Sequence, residues 1–212
     1  MTTIASQFAE QLLSVQCIKV QPTQPFTWAS GWLSPFYCDN RKTLAYPQVR
    51  TFVKEQLAAL IRRQYPEATA IAGVATGAIA QGALVADELG LPMCYVRSKA
   101  KDHGMGNLIE GTLPEGARIV VVEDLISTGG SSLKAVEALR AAGFEILGMV
   151  ASFTYGFPVA EEAFRAANVT LTTLTNYEAV VETARAIGYI DESHLPLLAR
   201  WRANPSTWTP EV

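Results

Sequence analysis

Four β-branched residues in a row, Ile119, Val120, Val121 and Val122, run without a polar break into two carboxylates and then a pair of glycines. The full stretch, residues 119–132, reads IVVVEDLISTGGSS. An apolar run this short, with no alternation, fits a central parallel strand covered on both faces. Glu123 and Asp124 stand where the strand ends, followed by Leu125, Ile126, Ser127, Thr128, Gly129, Gly130 and Ser131. A helix is predicted over about residues 132–142, with Leu133, Val136 and Leu139 on one face and Gly143 as its stop.

Glycines let a backbone approach a ligand closely and turn several N–H groups inward. Together with the helix N-terminus they form an anion site suited to a phosphate. Thr128, Ser131 and Ser132 add hydroxyl donors. Glu123 and Asp124 would repel a phosphate; they suit the vicinal hydroxyls of a ribose, or a sugar that becomes cationic. The order fits a ligand with phosphate at one end and a diol near the strand tip, a ribose 5-phosphate. A glycine pair alone fits an ordinary strand–loop–helix corner as well. The apolar run, two acids, hydroxyls, glycines and helix in sequence favour the ligand site.

At 212 residues the chain is expected to form a single domain, 1–212, with residues 1–42 contributing a small hood. A net charge of −3 argues against bulk nucleic-acid binding, which needs a basic surface. Cys17, Cys38 and Cys94 are scattered, odd in number and form no CxxC, which fits reduced thiols in a cytosolic protein. His103 and His194 lie far from them, so no protein-built metal site is expected. No signal peptide and no apolar run near ~18 residues is read, so the expected location is cytoplasmic, without a membrane partner.

The rest of the chain alternates strands with helices, which predicts an α/β fold with a mostly parallel central sheet flanked by helices. Residues 3–15 read as an amphipathic helix, and residues 26–28 and 35–38 as two strands of a hairpin or hood around Ser30 and Gly31. Pro47 starts a helix to about Tyr65. Residues 69–74 form a second buried strand, entering a helix through Ala75, Thr76 and Gly77; neither GxGxxG nor GxxxxGK[ST] is present there. Residues 92–97 form a third strand, 145–153 a fourth and 169–174 a last, with helices over 159–167, 177–187 and 194–202. In residues 98–111 (SKAKDHGMGNLIEG), Lys99, Lys101 and His103 recur at spacing two before Gly104 and Gly106. This locally basic loop in an acidic chain can close over an anionic ligand, or be solvated surface. The carboxyl ends of strands bind ligands in such sheets, and the three loops at 75–77, 97–111 and 123–131 all follow strands.

The stretch VVVEDLISTGGSS resembles the phosphoribosyl pyrophosphate (PRPP) signature of the type I phosphoribosyltransferases. Residues 26–41 (FTWASGWLSPFYCDNR) and 95–111 are similar to those of orotate phosphoribosyltransferases, and the likeness spans about residues 5–190. The resemblance implies the type I phosphoribosyltransferase fold and transfer of ribose 5-phosphate from PRPP to orotate, giving orotidine 5′-monophosphate and pyrophosphate in pyrimidine biosynthesis. It implies Lys101, His103 and Asp124 as catalytic residues. PRPP would be bound by these with Arg97, Glu123 and residues 125–131, and the pyrophosphate by the backbone of Ala75, Thr76 and Gly77. Orotate would meet Ser127, Tyr37 and Cys38, the last two largely through backbone. Mg²⁺ would be held through PRPP and water, and a homodimer would exchange the 97–111 loop between sites. Ala29 and Tyr155 stand where many relatives carry a lysine and an arginine; Arg41 and Lys42 are the nearby replacements. Those losses leave open a phosphoribosyltransferase for another base; a second rival is a non-catalytic PRPP-sensing regulator.

Overall fold

The computed structural model describes residues 3–21, 23–28, 31–99 and 108–210. Ala29, Lys101 and His103 lie outside the described residues. The chain opens with α1 (Ile4–Ser14), capped reciprocally by Thr3 and Ser6. The strands β1 (Ile18–Val20), β2 (Phe26–Thr27), β3 (Leu33–Ser34) and β4 (Phe36–Cys38) follow. A 3-10 helix, Asn40–Ala45, leads into α2 (Pro47–Gln64), with Pro47 in its first turn. Next come β5 (Ala70–Val74), α3 (Ile79–Leu89), β6 (Met93–Val96), β7 (Ile109–Glu110), β8 (Arg118–Ile126) and α4 (Gly130–Ala141). The chain continues through β9 (Glu145–Thr154), α5 (Pro158–Ala166), β10 (Leu171–Asn176), α6 (Tyr177–Ala186) and α7 (Leu195–Ala203).

Six strands form the central sheet in the order β10-β9-β8-β5-β6-β7, parallel throughout except for the short β7. This is the architecture expected from the alternating pattern. Val120 and Val122 of β8 enter the core with α1, α2, α3 and α6; Ile119 and Val121 enter the core with α4 and α5. All four are 0% exposed, which explains the unbroken apolar run. Burying such side chains stabilises by about 1.5–3 kcal/mol each.

The amino-terminal hairpin differs from expectation. β2 pairs with β3, whereas β4 pairs with β1 through Ile18–Cys38, Lys19–Tyr37 and Val20–Phe36. The reason is a kink between the two halves: the Ser34 hydroxyl donates to the Phe36 carbonyl at 2.6 Å and accepts from its N–H at 3.1 Å, turning the chain at Pro35. The last strand starts two residues late because Val169 N–H caps α5 on the Phe164 carbonyl at 3.0 Å, with Asn168 at φ 51°. Helix α4 begins two residues early, at Gly130, and the 109–110 strand was not foreseen.

α7 closes over the hood. Trp201 is fully buried among Trp28, Phe36, Tyr155, Phe157 and Tyr177, and its indole N–H donates to the Leu33 carbonyl at 3.1 Å. Tail packing is thus what this tryptophan does.

Candidate active site

The neighbouring strands β6, β5 and β8 all run parallel, so the residues after each emerge on one rim. Ala75, Thr76 and Gly77 follow β5, Arg97 follows β6, and Ser127 to Gly130 follow β8. The structure therefore brings together the three loops singled out in the sequence, as far as they are described. The Ala75–Thr76 peptide is cis, and Ala75 N–H donates to the Val96 carbonyl at 2.8 Å, tying the first loop to β6.

Gly129 takes φ +81°, and a Cβ there would lie 2.7 Å from the Phe164 ring. Glycine is required on both counts. The turn it makes leaves the first N–H groups of α4 without intrahelical carbonyls, the arrangement that binds anions. Thr128, Gly130 and Ser131 are exposed and Ser127 half-buried at this mouth. Ile126 is buried and its carbonyl accepts from Tyr155 N–H at 3.0 Å; Leu125 packs partly on the core. Any contact of Ile126 with a ligand would come through its backbone.

The two carboxylates are not equivalent. Asp124 is half-buried and lies on Gly77, where a Cβ would stand 2.0 Å from its Oδ2. Glu123 is buried, accepting from the Ser132 hydroxyl at 2.7 Å and from Asp124 N–H at 2.9 Å. Burial first, and the adjacent Asp124 charge second, push its carboxyl well above the ordinary range. The two acids read from the sequence as a pair divide into one presented and one internal group.

Arg97 is half-buried, 3.6 Å from Glu110, with its Nη1 lacking a hydrogen-bond partner among the described residues. It lines a groove of about 640 Å³ with Ala75, Gly130, Ser131 and Lys134. Lys134 is a cation the sequence reading passed over; its place on the first turns of α4 was the available signal.

In the hood, Tyr37 and Cys38 are half-buried, with Tyr37 against Phe26 at 5.2 Å between ring centroids. Burial, then the nearby Asp124 charge, raise the Cys38 thiol pKa well above normal, so the group stays protonated. The thiol donates to Asn40 Oδ1 at 3.3 Å, and Asn40 Nδ2 donates to the Asp124 carbonyl at 2.6 Å. Asn40 was not singled out in the sequence. The proposed replacements for missing cations are corrected: Arg41 is paired outward with Asp39 at 2.7 Å, and Lys42 bonds the Gln16 carbonyl at 3.3 Å. Tyr155 is core, 3% exposed. Next to it in the chain, Gly156 and Phe157 hold the cation of Arg202, which stacks on the Phe157 ring at 5.0 Å and bonds to the Gly156 carbonyl and Glu178.

A strand tip with an open carboxylate, a glycine turn into a bare helix N-terminus and a second glycine loop beside it suit a sugar phosphate. Residues 49–186 match the phosphoribosyl transferase domain, and the chain belongs to that family. It is 62% identical to the orotate phosphoribosyltransferase of Phocaeicola vulgatus over 208 residues, covering 98% of each chain. It is 50% identical to that of Listeria innocua, covering 97% of this chain and 99% of the other. The crystal structure of the orotate phosphoribosyltransferase from Aeropyrum pernix matches 87% of this chain and 99% of its own, with a TM-score of 0.76 and 28% identity. Within the family, then, the chain is an orotate phosphoribosyltransferase; neither a purine enzyme nor a regulator fits these identities.

Proposed function

We propose that the reaction, transfer of ribose 5-phosphate from PRPP to N1 of orotate, is carried out within one domain in which residues 1–42 hood the base. The observation that carries this is Asp124, an open carboxylate between the Gly77 loop and the anion-binding turn at 127–131. The bond from the anomeric carbon to pyrophosphate loosens first, leaving an oxocarbenium-like sugar, so the site acts mainly by placing charge. Asp124 faces the cationic carbon and takes the ribose hydroxyls. Glu123 joins it by releasing Ser132. The backbone of Leu125 to Ser131, with the Ser127, Thr128 and Ser131 hydroxyls, takes the 5′-phosphate. The backbone of Ala75, Thr76 and Gly77, with Arg97, Lys101 and His103, takes the departing pyrophosphate. Tyr37, Cys38 and Ser127 hold the orotate ring.

Mg²⁺, when bound with PRPP, would supply charge neutralisation of the pyrophosphate. Among the described residues no group of three or more His, Cys, Asp or Glu is clustered for a metal. One open carboxylate suits a hard ion that keeps its waters and rides on phosphate oxygens. The enzyme works as a homodimer in the cytoplasm, each 97–111 loop reaching the partner's site. The groove of about 640 Å³ beside α4, lined by Val96, Leu108, Ala135 and Ala138 as well as by Arg97 and Lys134, supports such a contact. No helix among the described residues is long and apolar enough to cross a membrane.

The test is loss of orotate absorbance in a mixture of protein, PRPP, Mg²⁺ and orotate, with uracil and hypoxanthine in parallel. Consumption of orotate alone, needing both PRPP and Mg²⁺, is expected. Consumption of another base instead would sink the orotate assignment.

A further inference from the structure

Asn40 sits where three parts of the site meet. Its side chain is 4% exposed, and both ends of its amide are occupied. Nδ2 donates to the main-chain carbonyl of Asp124 across 84 residues of sequence, at 2.6 Å. Oδ1 accepts from the thiol of Cys38, on the strand that covers the base, at 3.3 Å. A carbonyl can only accept and a protonated thiol can donate, so the neighbours fix which way the amide points. The Asn40 carbonyl accepts from the Thr43 hydroxyl at 2.6 Å, and that hydroxyl accepts from Gln81 Nε2 at 3.3 Å. Gln81 belongs to α3, the helix that follows the Ala75–Gly77 loop. β5 pairs with β8 only as far as Gly73 opposite Val122, so beyond that point no β5 residue supports the β8 tip. Asn40 supplies a bond there, from outside the sheet.

We infer that Asn40 is a positioning residue for the transfer reaction: its amide fixes the Asp124 main chain, and with it the carboxylate that faces the sugar, in register with the hood strand over the base. Thr43 and Gln81 anchor the same strap to the pyrophosphate side. The inference rests on the assignment of Asp124 to the sugar. Asn40 touches no substrate in this scheme and acts through the Asp124 main chain and the Cys38 thiol. Misplacing a catalytic group by about 1 Å costs on the order of a hundredfold in rate.

The experiment compares kcat, KM and thermal unfolding for Asn40→Ala, Asn40→Asp, Thr43→Val and Asp124→Asn, and for the Asn40→Ala/Asp124→Asn pair. Asn40→Asp keeps the shape but sets an acceptor against the Asp124 carbonyl. Both Asn40 variants are expected to remain folded and lose kcat by about a hundredfold, with KM for PRPP changed by less than about threefold. Thr43→Val, which loosens the strap one bond further from Asp124, is expected to lower the unfolding temperature and to lower kcat by less than either Asn40 variant does. In the Asp124→Asn background, removing Asn40 is expected to cost little more, since the group it positions is gone. Full activity in Asp124→Asn would overturn the sugar assignment itself. A low kcat in Asp124→Asn but wild-type kcat in folded Asn40 variants overturns this inference alone. Additive losses in the pair, or failure of both Asn40 variants to fold, make Asn40 a structural strap and likewise overturn it.

Discussion

Glu123 is an acid whose burial, with the adjacent Asp124 carboxylate, favours its neutral form. The native state holds a proton that the unfolded chain has released, so stability falls as pH rises above the ordinary carboxyl value of 4.5 toward the raised native one. Glu123→Gln keeps the shape and removes the titration. The expected result is a flatter profile of unfolding temperature against pH, with the variant more stable than wild type at neutral pH and level with it near pH ~4. An unchanged slope would show that Glu123 is charged in the native protein. Lys101 belongs to the chemistry in the proposed scheme. Lys101→Ala should lower kcat by about a hundredfold while PRPP affinity measured without orotate shifts much less. An unaltered kcat would remove it. At this scale the sequence was informative where chemistry is local. Asp124, Gly129 and the hydroxyls around them declare themselves because residues adjacent in the chain share one turn. Asn40 was silent because its partner lies 84 positions away, and no spacing rule covers that distance.

Among the elements, β8 was the most legible, because a strand buried on both faces has no alternative to an unbroken apolar run. The hood was the least. Strands of two or three residues carry too little pattern to choose a partner, and here Phe36 to Cys38 left its apparent hairpin for β1 because Ser34 and Pro35 turn the chain. Nor could the sequence announce that α7 covers β3. That contact makes a prediction about the element. Trp201→Phe keeps the aromatic packing but loses the bond to the Leu33 carbonyl. It should destabilise by only about 1 kcal/mol, and raise KM for orotate more than KM for PRPP. Trp201→Ala should cost about 3–5 kcal/mol in chemical denaturation. Equal KM changes for both substrates in the Phe variant would separate α7 from the base side.

At the scale of the whole molecule, the sheet is unevenly covered. α4 and α5 pack over β8 and β9, while the groove over β5 and β6 stays open beside Ala135 and Ala138. If a second copy fills it, a longer side chain at 138 takes up the space that copy needs, at a cost of about 1–3 kcal/mol. Ala138→Glu should therefore convert the proposed dimer to a monomer in sedimentation velocity at micromolar concentration. A dimer of undiminished strength would move the interface elsewhere. The clasp between Trp201 and Leu33 has a further consequence, in time rather than space. Synthesis runs from the amino terminus, and a single domain folds as one unit. The hood is among the first segments made, yet its lock is among the last. The bond from Trp201 to Leu33 cannot form until α7 has been made, so in the proposed scheme the wall over the base is the last part of the site to be completed.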